Sequence, residues 1–166
     1  MRHIREIRFR GKCVYTAEWV YGSLITTAPE VAPTIVTTES SAVGYTQIEH
    51  TVDINTVGQF VKVQGKKCFE GDIIQYLNVI EANTIGIIRF GEYEQDGSGG
   101  EYTATKCLGF YVERVKTKPF EWQDEVFEYE YEKNVSLAGI EKFKVIGNIH
   151  DNQEILEQED KNEDSI

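Results

Sequence analysis

Three histidines, three cysteines and one glycine-flanked serine are the residues of this 166-residue chain whose types suggest chemistry. Asp96-Gly97-Ser98-Gly99-Gly100 has the composition of the loop around a serine-protease nucleophile, but in a different order. A nucleophilic serine needs a base beside it and a third group to orient that base. His3, His50 and His150 stand in unrelated contexts, so the loop reads as a hairpin connection. The same glycines precede a strand, whereas a phosphate cradle leads into a helix. His50 with Asp53, and His150 with Asp151, are too sparse to form a metal-ligand set. Carboxylates are abundant, yet nothing singles out one pair for acid–base work. The expectation is a protein that is not an enzyme, with no catalytic residue, metal or cofactor.

Charge is the stronger signal. Lys plus Arg number 17 and Asp plus Glu 28, a net charge of −11. That balance argues against a general binder of phosphate backbones, which needs a basic face. The distribution is uneven. "MRHIREIRFRGK" carries Arg2, Arg5, Arg8, Arg10 and Lys12 against Glu6, while "FEWQDEVFEYEYE" and residues 151–166 are acidic. Solvated faces with pairing between basic and acidic strands is the simpler account. Head-to-tail contact between copies of the chain is the sharper one. Glu128, Glu130 and Glu132 fall on one face of an alternating run, about 6.8 Å apart if extended. Such a row imitates a nucleic-acid backbone, although a polar outer strand face explains it equally. Arg8 and Arg10 are the expected phosphate contacts if the chain binds nucleic acid.

These side chains must be positioned by short strands. Arg5, Ile7 and Phe9 alternate with Glu6, Arg8 and Arg10, and Gly11-Lys12 reads as the turn that ends a first strand. "CVYTAEWVYGSLI" is a second β-rich run, with Tyr15 and Trp19 expected in the core. Residues 26–49 are rich in Thr, Ser, Ala and Pro. Pro29 and Pro33 demote that segment to an excursion with a short edge strand over residues 34–38. Asp53 caps a turn, Gly65-Lys66 bends a hairpin, and Gly71-Asp72 makes a second turn. Two strands flank a loop over residues 95–100, and Phe127, Tyr129 and Tyr131 alternate with the glutamates. "KNVSLAGIEKF" carries one helical turn, and "KVIGNIHD" is a last strand. "NQEILEQE" is a short helix capped by Asn152, with Ile155 and Leu156 as its apolar grip.

No strand–long helix–strand alternation occurs, which excludes a doubly wound fold and predicts a sandwich or small barrel. A chain this long buries roughly 70% of its unfolded surface and needs no staples. Cys13, Cys68 and Cys107 are odd in number and widely spaced, which predicts a reducing cytoplasm rather than a disulfide framework. No apolar run is long enough to span a bilayer and no signal-peptide pattern is visible, so no membrane association is expected.

In order and spacing, "IRFRGK", "EWVYGSLI", "VDINTVGQF", "FEGDII", "GIIRFGEY" and "KVIGNIHDN" resemble the YopX family of bacteriophage and prophage proteins, over about residues 4–152. The turn after Gly58-Gln59-Phe60 is shorter than the family's usual one, and the tail is unusually acidic. The resemblance implies a mainly β (β-rich α+β) fold of antiparallel hairpins with an SH3-like small-barrel portion and a short C-terminal helix. It implies one unit over residues 1–150, split into 1–58 and a barrel portion 59–150, followed by an acidic tail, 151–166. Gly71 would then permit a tight turn that Asp72 caps, and Gly86 and Gly91 would mark bends or bulges where a barrel curls. The resemblance carries over no catalytic residue. The function expected is a phage accessory protein working through protein–protein contacts and self-association, a homo-oligomer that meets a phage or host protein. Nucleic-acid binding by the barrel, or an acidic decoy of a host DNA-processing protein, are the alternatives.

Overall fold

Alternating strands account for most of the chain in the computed structural model, which describes residues 6–77, 83–95, 103–117, 120–122, 125–127 and 133–157. The chain divides into two compact units, Met1–Phe69 and Glu70–Ile166. The architecture is mainly β, with two larger antiparallel sheets, one two-stranded ribbon and a single-turn helix near the C-terminus.

The first unit is a six-stranded sheet built from β1 (Phe9–Lys12), β2 (Trp19–Ile25), β3 (Thr34–Ser41), β4 (Gly44–Thr51), β5 (Gly58–Val63) and β6 (Lys66–Phe69), in the order β4-β3-β2-β1-β5-β6. Gly11 is not a turn residue as its neighbour Lys12 led us to expect; it sits inside β1 opposite Val20. A Cβ there would come within 3.0 Å of Val52 Cβ and 3.2 Å of Ile35 Cδ1, so glycine is needed for close packing. The turn falls later, where Cys13 N–H donates to Glu18 C=O and Ala17 has φ 58°. Tyr15 lies on this turn and is 84% exposed, because strand alternation ends before it. It is not a core residue. Trp19 is half-buried.

The Thr/Ser/Pro-rich segment departs furthest from expectation. β3 is eight residues long and interior, paired with both β2 and β4. Pro29 and Pro33 precede the strand, so neither removes a ladder hydrogen bond. β4 is the edge instead. Asp53 behaves as read: its Oδ1 accepts from Asn55 N–H at 3.0 Å and caps a 3-10 turn over Ile54–Thr56. The β5–β6 hairpin bends through Gln64 (φ 50°) and Gly65 (φ 77°), the signature of a type I′ turn. Cys13, Ile35, Val52, Phe60 and Cys68 form the buried apolar set of this unit.

The second unit is a five-stranded sheet of β7 (Asp72–Leu77), β8 (Asn83–Gln95), β9 (Thr105–Thr117), β12 (Asn134–Ser136) and β13 (Phe143–Asn148), in the order β12-β9-β8-β7-β13. β10 (Phe120–Trp122) and β11 (Glu125–Phe127) pair as a separate ribbon. Ile73 and Ile74 are adjacent and fully buried, so both faces of β7 are covered. Ile87, Ile88, Val112, Leu137, Ile140 and Phe143 complete the core, with Leu137 on a 3-10 turn over Leu137–Gly139. Neither larger sheet closes on itself among the described residues, so the mainly β fold is shown without the closure that an SH3-like barrel portion would bring.

The C-terminal motif "GNIHDN" is a nest of local hydrogen bonds. Asn148 Oδ1 accepts from His150 N–H (2.9 Å) and Asp151 N–H (3.1 Å). Asn152 does not cap the following helix, α1 (Glu154–Glu157), through its side chain. Its Oδ1 instead accepts from Asn148 N–H at 3.2 Å, which ties the chain back to β13.

Candidate interaction surface

Strand alternation sends Arg10 and Lys12 of β1 to one face of the first sheet. The register places Arg10 opposite Tyr21 and Lys12 opposite Trp19. β5 and β6 add Phe60 opposite Phe69 on that face. The Arg10 guanidinium lies 4.7 Å from the Trp19 ring centre and 5.0 Å from that of Phe69, and Lys12 Nζ lies 5.4 Å from Trp19. Phe69 meets Tyr21 at 5.4 Å and Phe60 at 5.5 Å, both edge to face. A guanidinium held between two rings and withdrawn from water is worth about 2 kcal/mol. Arg10 is 6% exposed, so its charge serves the stack before it serves any ligand. Arg8 is exposed, within 3.4 Å of Glu6.

The other sequence-singled residues scatter. Gly71 has φ 84°, donates its N–H to Ile88 C=O and accepts from Ile149 N–H, which fastens β7, β8 and the end of β13 together. Asp72 is buried and opens β7 opposite Asn148. Register shifts between Ile85 and Gly86 in the β8–β9 pair. Gly91 (φ 151°) faces Gly109 (φ 157°) in a register that runs unbroken through this glycine pair. His50 Nε2 is 3.2 Å from Thr37 Oγ1. Glu128, Glu130 and Glu132, His3, the Asp96–Gly100 loop and the end of the acidic tail lie outside the described residues. Among the described residues, no group of three or more His, Cys, Asp or Glu is placed to hold a metal ion, and no helix is long and apolar enough to cross a membrane.

An open recess of about 480 Å³ lies at the turn end of β1, lined by Lys12, Cys13, Pro33, Val52, Asp53 and Thr56 among others. The Cys13 thiol is held below its ordinary pKa by hydrogen bonds from the backbone of Tyr15 and then of Thr16. Lys12 and Asp53 are the charged residues that line the recess with it.

The most exposed organised feature is the distal part of the β3–β4 hairpin. Residues 38–47 are exposed on both faces, with Val43 98% and Tyr45 81% accessible. Only the Ser41 hydroxyl, donating to Gly44 C=O at 3.1 Å, ties its tip through a side chain. The available signal was the unbroken run of β-branched residues in "TIVTT", followed by Gly44 and a second extended run, "YTQIEHT".

Charge divides with the units. Residues 1–69 carry 8 Lys and Arg against 6 Asp and Glu, net +2; residues 70–166 carry 9 against 22, net −13. Searches of curated proteins and of solved structures returned no match. A family model described as "YopX protein" matches residues 8–157, and the chain belongs to the YopX family.

Proposed function

We propose that this chain is a phage or prophage accessory protein that acts through protein–protein contacts, including association with itself. The observation that carries this reading is the exposed β3–β4 hairpin, an ordered projection with apolar residues at its tip. Contiguous exposed apolar surface marks contact sites between chains. Light scattering at about 50 μM tests the self-association; a Kd near 1 μM corresponds to about −8 kcal/mol and gives mostly oligomer there. A mass of one chain at that concentration removes it. Capture from cells after nuclease treatment tests the wider claim, which requires a protein recovered independently of nucleic acid.

A second reading rests on the charge division. A first unit of net +2, with exposed Lys62, Lys66 and Lys67, favours a polyanionic ligand there despite the acidity of the whole. Gel shifts with single-stranded and duplex probes decide it, because phosphate contacts weaken steeply with salt. No binding at low salt ends this reading.

A further inference from the structure

β4 carries an unguarded strand edge, and its hydrogen-bond phase can be read from its end. Val52 N–H donates to Pro33 C=O at 2.9 Å, while Thr51 C=O turns away from β3 and accepts from Val14 N–H at 3.0 Å. The β3–β4 register is unbroken from Thr34↔Thr51 to Ser41↔Gly44. In an antiparallel ladder the phase alternates, so Glu49, Gln47 and Tyr45 direct their N–H and C=O groups outward as Thr51 does. None of these three receives a backbone bond on that side among the described residues.

The other edges are blunted. β6 has four residues and opens on Lys66-Lys67; β12 has three; β13 is interrupted by a bulge between Val145 and Gly147 and carries Lys144. The free stretch of the β8–β9 hairpin has glycines with positive φ at Gly91 and Gly109 and bears Arg89, Glu92, Glu94 and Lys106. Short length, lysine, bulges and charge are the devices that stop edge-to-edge pairing. β4 has eight residues, no lysine, no proline, no bulge and one carboxylate, Glu49.

We propose that β4 pairs antiparallel with β4 of a second copy about a two-fold axis at Gln47, joining two six-stranded sheets into one. This rests on the self-association proposed above and specifies its surface. The phase selects the register. Centring on Gln47 sets Tyr45 opposite Glu49 of the second copy on one sheet face, twice, with Gln47 opposite its own equivalent. All six outward N–H and C=O groups of Tyr45, Gln47 and Glu49 then find partners. A centre at Glu49 would oppose two carboxylates directly. A centre at Tyr45 would set Gln47 against Val43, in the turn of the second copy. The Tyr45 hydroxyl beside a carboxylate and the Gln47 amide pair are favourable cross-strand neighbours. The nearly neutral edge offers a nucleic acid no cation, whereas it complements itself.

Sedimentation equilibrium from about 5 to about 200 μM is the first test, comparing wild type with Gln47→Pro. Proline at 47 removes an outward N–H and leaves the bonds to β3 intact, so the monomer fold survives and circular dichroism should match wild type. The expected result is a wild-type dimer whose dissociation constant rises at least tenfold in Gln47→Pro, and likewise in Gln47→Lys, which opposes two ammonium groups. Cross-linking gives the register. In a Cys107→Ser background, Gln47→Cys should oxidise to a covalent dimer, because directly opposed Cα atoms sit about 5.5 Å apart. Glu49→Cys should not, because antiparallel pairing separates those two positions. Cross-linking at both positions means parallel pairing and overturns the proposal. A dimer unaffected by Gln47→Pro and Gln47→Lys overturns the β4 surface while self-association stands. A wild-type monomer throughout overturns both.

Discussion

The β3–β4 and β8–β9 hairpins are the two longest among the described residues, and they treat their exposed strands in opposite ways. β8–β9 is braced by side chains along its length. Tyr93 stacks on Tyr111 with ring centres 4.8 Å apart, Phe90 meets Phe110 edge to face at 5.0 Å, and Arg89 Nε donates to Glu113 Oε2 at 3.1 Å. Glycines with positive φ face each other across the pair, and charges line the free edges. β3–β4 has none of this bracing beyond residue 38, and one edge of β4 is bare. The difference separates two uses of a hairpin: β8–β9 forms the core of its sheet, and β3–β4 is suited to completion by another strand.

That contrast is sharpest in the core positions. Ile88→Ala in β8 removes a fully buried side chain and should cost about 4 kcal/mol of unfolding free energy. Val43→Ala at the other hairpin's tip should change it by less than about 0.5 kcal/mol. Urea titration of both variants checks the pair; comparable losses would erase the contrast. Gly91→Ala comes next, at about 2 kcal/mol, because φ 151° is strained for any residue with a Cβ. Glu113→Gln should follow at about 1 kcal/mol. Its carboxylate holds Arg89 at 3.1 Å and Lys133 at 3.4 Å, but in partial contact with water. The loss should shrink in 1 M salt.

The smallest expected effect is one of pH. Burial raises the Tyr76 phenol above its ordinary pKa, with Arg114 opposing in part. The folded state therefore holds this proton longer than the unfolded chain does. Stability tied to the neutral phenol is complete below about pH 10 and is lost as pH rises through the folded-state value. Tyr76→Phe should flatten that alkaline decline in melts between about pH 9 and about pH 11, and an unchanged slope would place the effect elsewhere.

Local chemistry was legible in the sequence and distant contact was not. The Asp53 cap, the β5–β6 hairpin, whose bend at Gln64-Gly65 falls one residue before the expected Gly65-Lys66, the β8–β9 hairpin and the strand over Phe143–Asn148 depend on residues within a few positions of each other. Gly11 was misread because what requires it, Ile35 and Val52, arrives from β3 and the end of β4. The enclosure of Arg10 was hidden because Phe69, which helps form it, lies in a different strand. β3–β4 was concealed by Ser, Thr and Pro, a composition shared by loops and by solvated two-stranded arms. Which edge of a sheet remains open depends on strand order, and strand order is a property of the whole unit. The family resemblance was legible from six short motifs, most of which lie on the strands and turns of the two sheets.

Amide hydrogen exchange of β4 as a function of protein concentration tests the central claim most directly. The outward amides of Tyr45, Gln47 and Glu49 should exchange rapidly in dilute protein and become protected as concentration rises, while those of Thr46 and Ile48, bonded to β3, should change little. Protection of the three outward amides that is the same at every concentration would contradict the account.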